Sequence, residues 1–271
     1  DYLSDNSLYN KVEWSNNVFI FKGDGIQEID FPELNTTIYG YSWDRVEIKD
    51  NQLFYDYDFN SPRKNKILVI HGEISSNSNY LPLDKQSLNN LDLDYIALGH
   101  IHKPEIISNK MAYCGSLEPL DFGEIGERGF IQGSIEDNDT KIEFVPFSKR
   151  KFLYKKMCID ENMSYQDIYK LITNVDGNKD MDYYRIELDG YIQHDIDVDS
   201  LFTSQKDGFY YIETIDNTTP DYDLDALEHD YKDSIIGAFI REMKSKNLED
   251  TVTKKALYYG LDALLKGRVD L

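Results

Sequence analysis

Cysteine is scarce in this 271-residue chain: there are two, Cys114 and Cys158. They are far apart and have no metal-ligand spacing, so reduced thiols of a cytoplasmic protein are the expectation. No run of eighteen apolar residues occurs, which leaves no candidate membrane-spanning helix. Basic residues are the minority, 29 Lys and Arg against 50 Asp and Glu, for a net charge of −21. Affinity for a phosphate backbone comes from Lys and Arg, so a general polyanion-binding surface is disfavoured. The short run Lys149-Arg150-Lys151, with Lys155-Lys156, reads as a solvated linker face. Histidine is also sparse, at five. Hydrophobic residues at 41% and aromatics at 13% nevertheless suffice for a core.

Three of the five histidines fall between residues 67 and 102. Ile67 to Ile70 is an apolar run closed by His71-Gly72. Tyr95 to Leu98 is a second, closed by Gly99-His100-Ile101-His102. Such runs bounded by turn residues predict buried strands. Each then delivers imidazoles to a strand's carboxyl end, where open α/β sheets bind ligands. Neutral imidazole is a common ligand of borderline transition metals, and metal chemistry is the reading preferred for this trio. His194 and His229 sit among charged residues and read as solvated.

The segments HGE and ALGHIHKP, followed by YCGSLEPLDFGEIGERGF (Tyr113 to Phe130), resemble the last motifs of the calcineurin-like metallophosphoesterases. Within them the pattern is similar to the SbcD-type DNA repair exonucleases, especially the YhaO-like branch. The resemblance runs along most of the chain and implies two metal ions, usually Mn2+, with Mg2+ or another divalent ion as alternatives. It implies that His71 and His100 bind one ion and His102 the other. Around them it places Asp1, Gly72, Gly99, Ser116, Phe122 and Glu124 as second-shell or cleft residues. Ser116 is open to three readings: orienting His102, holding a phosphate, or a plain turn serine. The family's Asp-x-His, Gly-Asp and Gly-Asn-His-Asp motifs are missing, and Asp1 would be the last residue of the third. The chain is therefore read as a fragment. The acid histidine and bridging carboxylate would lie upstream, with ion occupancy partial or nil and little nuclease activity. Acidity does not exclude a nuclease, because metal ions supply local positive charge.

In chain order, Asn17 to Lys22, Ile26 to Phe31 and Thr36 to Trp43 predict strands, the first two joined by a hairpin at Gly23-Asp24-Gly25. Asp84 to Asp94 predicts a short amphipathic helix. Glu105 to Ile107 and Met111 to Cys114 predict strands. Gly129 to Ile135 and Thr140 to Phe147 predict a hairpin turning at Asp137-Asn138-Asp139. A β-α-β-α-β unit follows: Lys151 to Asp160, a helix capped by Ser164 and Asp167, Tyr183 to Gly190, a helix at Asp195 to Phe202, and Gly208 to Ile215. One long helix starting at Asp223 and carrying Leu227, Tyr231, Ile235, Phe239 and Met243 precedes another from Asp250 or Thr251 to Gly267.

The expected fold is mixed α/β: the C-terminal part of a metallophosphoesterase β-sandwich with flanking helices (1–150), a small α/β capping domain (151–217) and a C-terminal helical segment (218–271). The resemblance implies a metal-dependent DNA nuclease subunit in repair. Its partners would be DNA, a second copy of the intact protein, and an SbcC-like coiled-coil ATPase docked on the C-terminal helices. The alternatives are a phosphoesterase for another substrate and a non-catalytic scaffold that binds the ATPase.

Overall fold

A computed structural model describes residues 2–266, apart from 23, 24, 44, 51–53, 55 and 249. The chain divides into two compact units, Asp1–Lys151 and Phe152–Leu271. The sheet and the helices expected as separate domains both fall in the second. The fold is mixed α/β.

In the first unit β1 (Gln27–Phe31) turns through Pro32–Leu34 into β2 (Thr36–Tyr41). Asn35, at φ 48, occupies the left-handed conformation that closes this turn. Strands β3 (Asn65–His71) and β4 (Tyr95–Gly99) follow, separated by α1 (Lys85–Asn90). Asp84 caps α1 by accepting from the Ser87 N–H at 2.7 Å. Then come β5 (Glu105–Ser108), β6 (Met111–Tyr113), β7 (Gly129–Glu136) and β8 (Asp139–Pro146). The six-stranded sheet runs β1-β2-β3-β4-β6-β5. Its inner strands β2, β3, β4 and β6 are parallel, and both edges are antiparallel. β7 and β8 form a separate hairpin whose turn residues Asp137 and Asn138 both have positive φ, as a two-residue hairpin turn requires.

One face of this sheet carries the core. Leu68, Ile70, Ile96 and Leu98 pack with Tyr39, Leu81, Leu83, Leu88 and Met111. The other face is more open than the continuous apolar run suggested: Val69 is 43% exposed. Strand side chains alternate, and among the described residues nothing buries the second face at this position. Asn17 to Lys22 is not a strand. Its expected hairpin partner β1 pairs with β2 instead, and the turn at Gly23-Asp24 lies outside the described residues.

The second unit holds a parallel three-stranded sheet, β9 (Phe152–Ile159), β10 (Tyr183–Gln193) and β11 (Tyr211–Asp221), with β10 in the middle. Helices α2 (Tyr165–Thr173) and α3 (Val198–Gln205) make the crossovers. Ser164 and Asp167 form the anticipated reciprocal cap of α2. Tyr184, Ile186 and Leu188 from β10 are buried with Ile168 and Ile172 of α2 and Leu201 of α3. The long helix expected after Asp223 is two, α4 (Leu224–Asp230) and α5 (Ile235–Lys244). The break falls where Ser234 accepts from the Ile236 and Gly237 N–H groups and starts a new helix. α6 (Thr251–Lys266) follows, with Asp250 bonded to the Thr253 N–H; its expected stop at Gly267 lies outside the described residues. Ile240, Leu257 and Leu261 are the centre of this helical cluster. No helix among the described residues is long and apolar enough to cross a membrane.

Candidate functional site

Parallel pairing of β3 and β4 sets His71 opposite Gly99. A side chain at residue 99 would put its Cβ 3.0 Å from His71 Nδ1. Gly99 therefore gives the His71 ring the space above β4. Gly72 is buried, and its N–H points to the Gly99 carbonyl at 3.4 Å. The chain leaves β4 at His100 with φ 95, a conformation rare for any side-chain-bearing residue and worth on the order of 1–3 kcal/mol of strain. That bend turns the His100 ring onto His71: His100 Nδ1 and His71 Nε2 are 3.3 Å apart.

Two aromatic rings back this pair. Trp43, 4% exposed, donates its indole N–H to the His71 carbonyl at 2.8 Å and lies edge-on to the His71 ring. Tyr80 stacks with Trp43 and packs against His100 at 5.1 Å. Burial pushes the His71 imidazole from 6.5 down to about 4. Burial also lowers His100, against the pull of the nearby Glu73 carboxylate. Both rings are thus neutral near pH 7 and offer lone pairs. A cleft of about 490 Å³ opens beside Trp43, lined in part by Ser4, Asp5, Asn10, Lys22 and Ser42.

His102 is placed differently. Its Nδ1 lies 2.5 Å from Glu124 Oε1. A carboxylate only accepts, so Nδ1 carries a proton and donates it to Glu124, and Nε2 takes no part in this bond. Glu124 is itself held: Oε2 accepts from the Leu120 N–H at 3.1 Å and the Ser116 hydroxyl at 3.3 Å. Burial works to raise the Glu124 carboxyl, but the bonds from His102, Leu120 and Ser116 outweigh it and hold it below its usual value. Beneath lies Arg128, 3% exposed, donating to the Ile125 and Glu127 carbonyls, with Nε 4.0 Å from Glu124. Glu124→Ala, which removes the acceptor, is expected to release His102 from the Nδ1–H form. Nitrogen NMR shifts of the His102 ring check this; an unchanged tautomer would show that Glu124 does not set it.

Of the sequence-derived residues, the structure brings His71, His100, Gly72 and Gly99 together at one strand end. It joins His102, Ser116 and Glu124 in a neighbouring network. Phe122 is half-buried on the same loop, and Asp1 lies outside the described residues. Trp43, Tyr80, Glu73 and Arg128 were not singled out as site residues. Glu73 was within the HGE segment, but nothing in the sequence indicated which rings would back the histidines. The basic run offers little free charge: Lys151 pairs with Glu127, Lys155 with Asp176, and Lys156 with Glu187 and Asp189.

Two nitrogens bound to one ion at 2.0–2.1 Å in tetrahedral geometry lie about 3.4 Å apart. The His71–His100 spacing therefore suits two ligands of a single ion. Among the described residues no group of three or more His, Cys, Asp or Glu side chains is placed to hold a metal, so these two nitrogens would supply only part of an ion's ligands.

No family model matches the chain. Over 158 residues, 55% of this chain, it is 27% identical to the uncharacterized metallophosphoesterase YhaO of Bacillus subtilis (strain 168). The chain is distantly homologous to a metallophosphoesterase. A shorter stretch of 54 residues, 19% of the chain, is 43% identical to the SbcD component of the nuclease SbcCD of Escherichia coli (strain K12). These matches span 38% and 13% of the relatives' own lengths.

Proposed function

We propose that this chain contributes to a phosphoester-hydrolysing site whose substrate is a DNA phosphodiester and whose ions are divalent, manganese foremost. The observation carrying this reading is the convergence of two neutral imidazoles, His71 and His100, at the carboxyl ends of adjacent parallel strands. Divalent ions, when bound, supply Lewis acidity at phosphoryl oxygens. The chain's own part is to keep His71 and His100 unprotonated by burial and to hold the His102 ring by Glu124. The match to the SbcCD nuclease component supports DNA as the substrate. It also supports a place as a nuclease subunit; pairing with a second copy and with a coiled-coil ATPase is what the SbcD resemblance implies. Apolar residues exposed on the C-terminal helices, Ile235 and Val252 among them, suit such docking.

Calorimetric titration with Mn2+ tests the half-site. The chain is expected to bind weakly, near one ion, and His71→Ala and His100→Ala each to weaken binding at least about tenfold. No binding by the chain, or binding untouched in both variants, overturns the assignment. Substrate class is tested in the longest natural polypeptide containing this chain, with Mn2+, on linear duplex DNA and p-nitrophenyl phosphate. Cleavage of DNA supports the nuclease reading; cleavage of the small monoester alone overturns it in favour of another phosphoesterase.

A further inference from the structure

We propose that Tyr80 is a stacking face for a nucleobase next to the phosphate handled at His71 and His100, an inference that rests on the phosphodiester reading above. Tyr80 is 43% exposed although it packs against His100 and Trp43. With both of these contacts made, the residue still keeps 43% of its surface exposed. The exposure is not that of a loose loop. The Tyr80 N–H donates to Ser78 Oγ at 2.9 Å, and its carbonyl accepts from the Glu73 N–H at 3.2 Å. On either side, the Asn79 carbonyl accepts from Ile48 N–H and the Leu81 N–H donates to the Ile48 carbonyl. Leu81 has φ 52, a conformation unfavourable for leucine, with its side chain buried beneath. The backbone is thus pinned and strained in a form that presents a flat ring beside the imidazole pair.

Stacking also suits the charge of this chain. With a net charge of −21, grip on the phosphate backbone through Lys and Arg is weak. Aromatic stacking holds a base without cations and is tolerant of sequence. A base can meet Tyr80 only when it is unstacked from its own strand, so the site favours nucleotides that are not paired.

The test compares two ligands by calorimetry in Mn2+: a thymidine trinucleotide and the same sugar–phosphate trimer without bases. The chain is expected to bind the base-bearing trimer about tenfold more tightly. Tyr80→Ala closes that gap and Tyr80→Phe retains it, each measured with Mn2+ at a concentration that saturates the variant. Equal binding of the two trimers, or a gap that survives in Tyr80→Ala, overturns the role of Tyr80 and leaves the half-site to be judged by its Mn2+ titration. A chain that binds neither trimer overturns it as well. Loss of Mn2+ affinity in Tyr80→Ala with the base gap intact would make Tyr80 a prop for His100, and the proposal fails. Circular dichroism of both variants confirms that they fold.

Discussion

Replacing Gly190 by alanine is expected to cost the second unit about 3 kcal/mol or more. Gly190 lies in β10, the central strand, at φ 116, where an L side chain is strained whatever the space around it. The space is absent too: a Cβ there would come 2.1 Å from the Ile159 carbonyl oxygen. That oxygen belongs to the paired backbone of β9, with the Ile159 side chain buried in the core, so no flexible side chain can give way. Relief requires parting β9 from β10, which opens the cluster around Tyr184, Ile186 and Leu188. Urea unfolding followed by far-UV circular dichroism reads the loss. Indole fluorescence, which comes from Trp14 and Trp43 in the first unit, is the internal reference. An unshifted dichroism transition would mean that the sheet accommodates the methyl group by a route not visible in its packing.

Acid is expected to weaken the first unit before its carboxylates titrate. His71 is held from 6.5 down to about 4 by burial, so the folded ring takes its proton later than the unfolded one. Between these values the unfolded state binds more protons, and stability falls as the pH drops through the interval. The full shift corresponds to about 3 kcal/mol at 1.36 kcal/mol per unit, and the ring's partial contact with water reduces this to about 2. His100, lowered for the same reason, adds in the same direction. Glu124 and Asp84, both held below their usual values, lose their contribution only at lower pH. Urea midpoints from indole fluorescence of the first unit between pH 7 and pH 4, in chelator, are expected to decline in the parent chain and to decline less steeply in His71→Gln, where His100 still contributes. A flat profile in the parent would show that the ring is not buried as a neutral group. Metal binding to the folded chain requires the same unprotonated nitrogens, so Mn2+ affinity is expected to hold through most of this window and to fall only as the pH approaches about 4.

Much of the secondary structure was legible because it is local. Ser164 and Asp167 satisfy each other's backbone within four residues, Asp84 does so for α1, and Asp137-Asn138 makes its own turn. The misreadings arose where local pattern was overruled. Asn17 to Lys22 has strand composition, but β1 takes β2 as its partner. The apolar spacing from Leu227 to Met243 continues across residues 231–234, yet Ser234 competes for backbone donors and restarts the helix. Val69 belongs to an unbroken apolar run, but a strand has two faces and only one is packed here.

The sequence by itself determined that His71 and His100 close two short apolar strands, that helices start at Asp84, Ser164 and Asp223, and that the chain is strongly acidic. These follow from residue type and from spacing over a few positions. Only the tertiary structure decided what those histidines meet. Parallel pairing of β3 and β4 placed His71 over Gly99, the bend at His100 turned its ring inward, and Trp43 and Tyr80 arrived from distant segments to back the pair. Glu124 reached His102 across 22 residues by the folding of one loop. Strand register and loop closure depend on contacts between residues remote in the chain, and no local pattern encodes them.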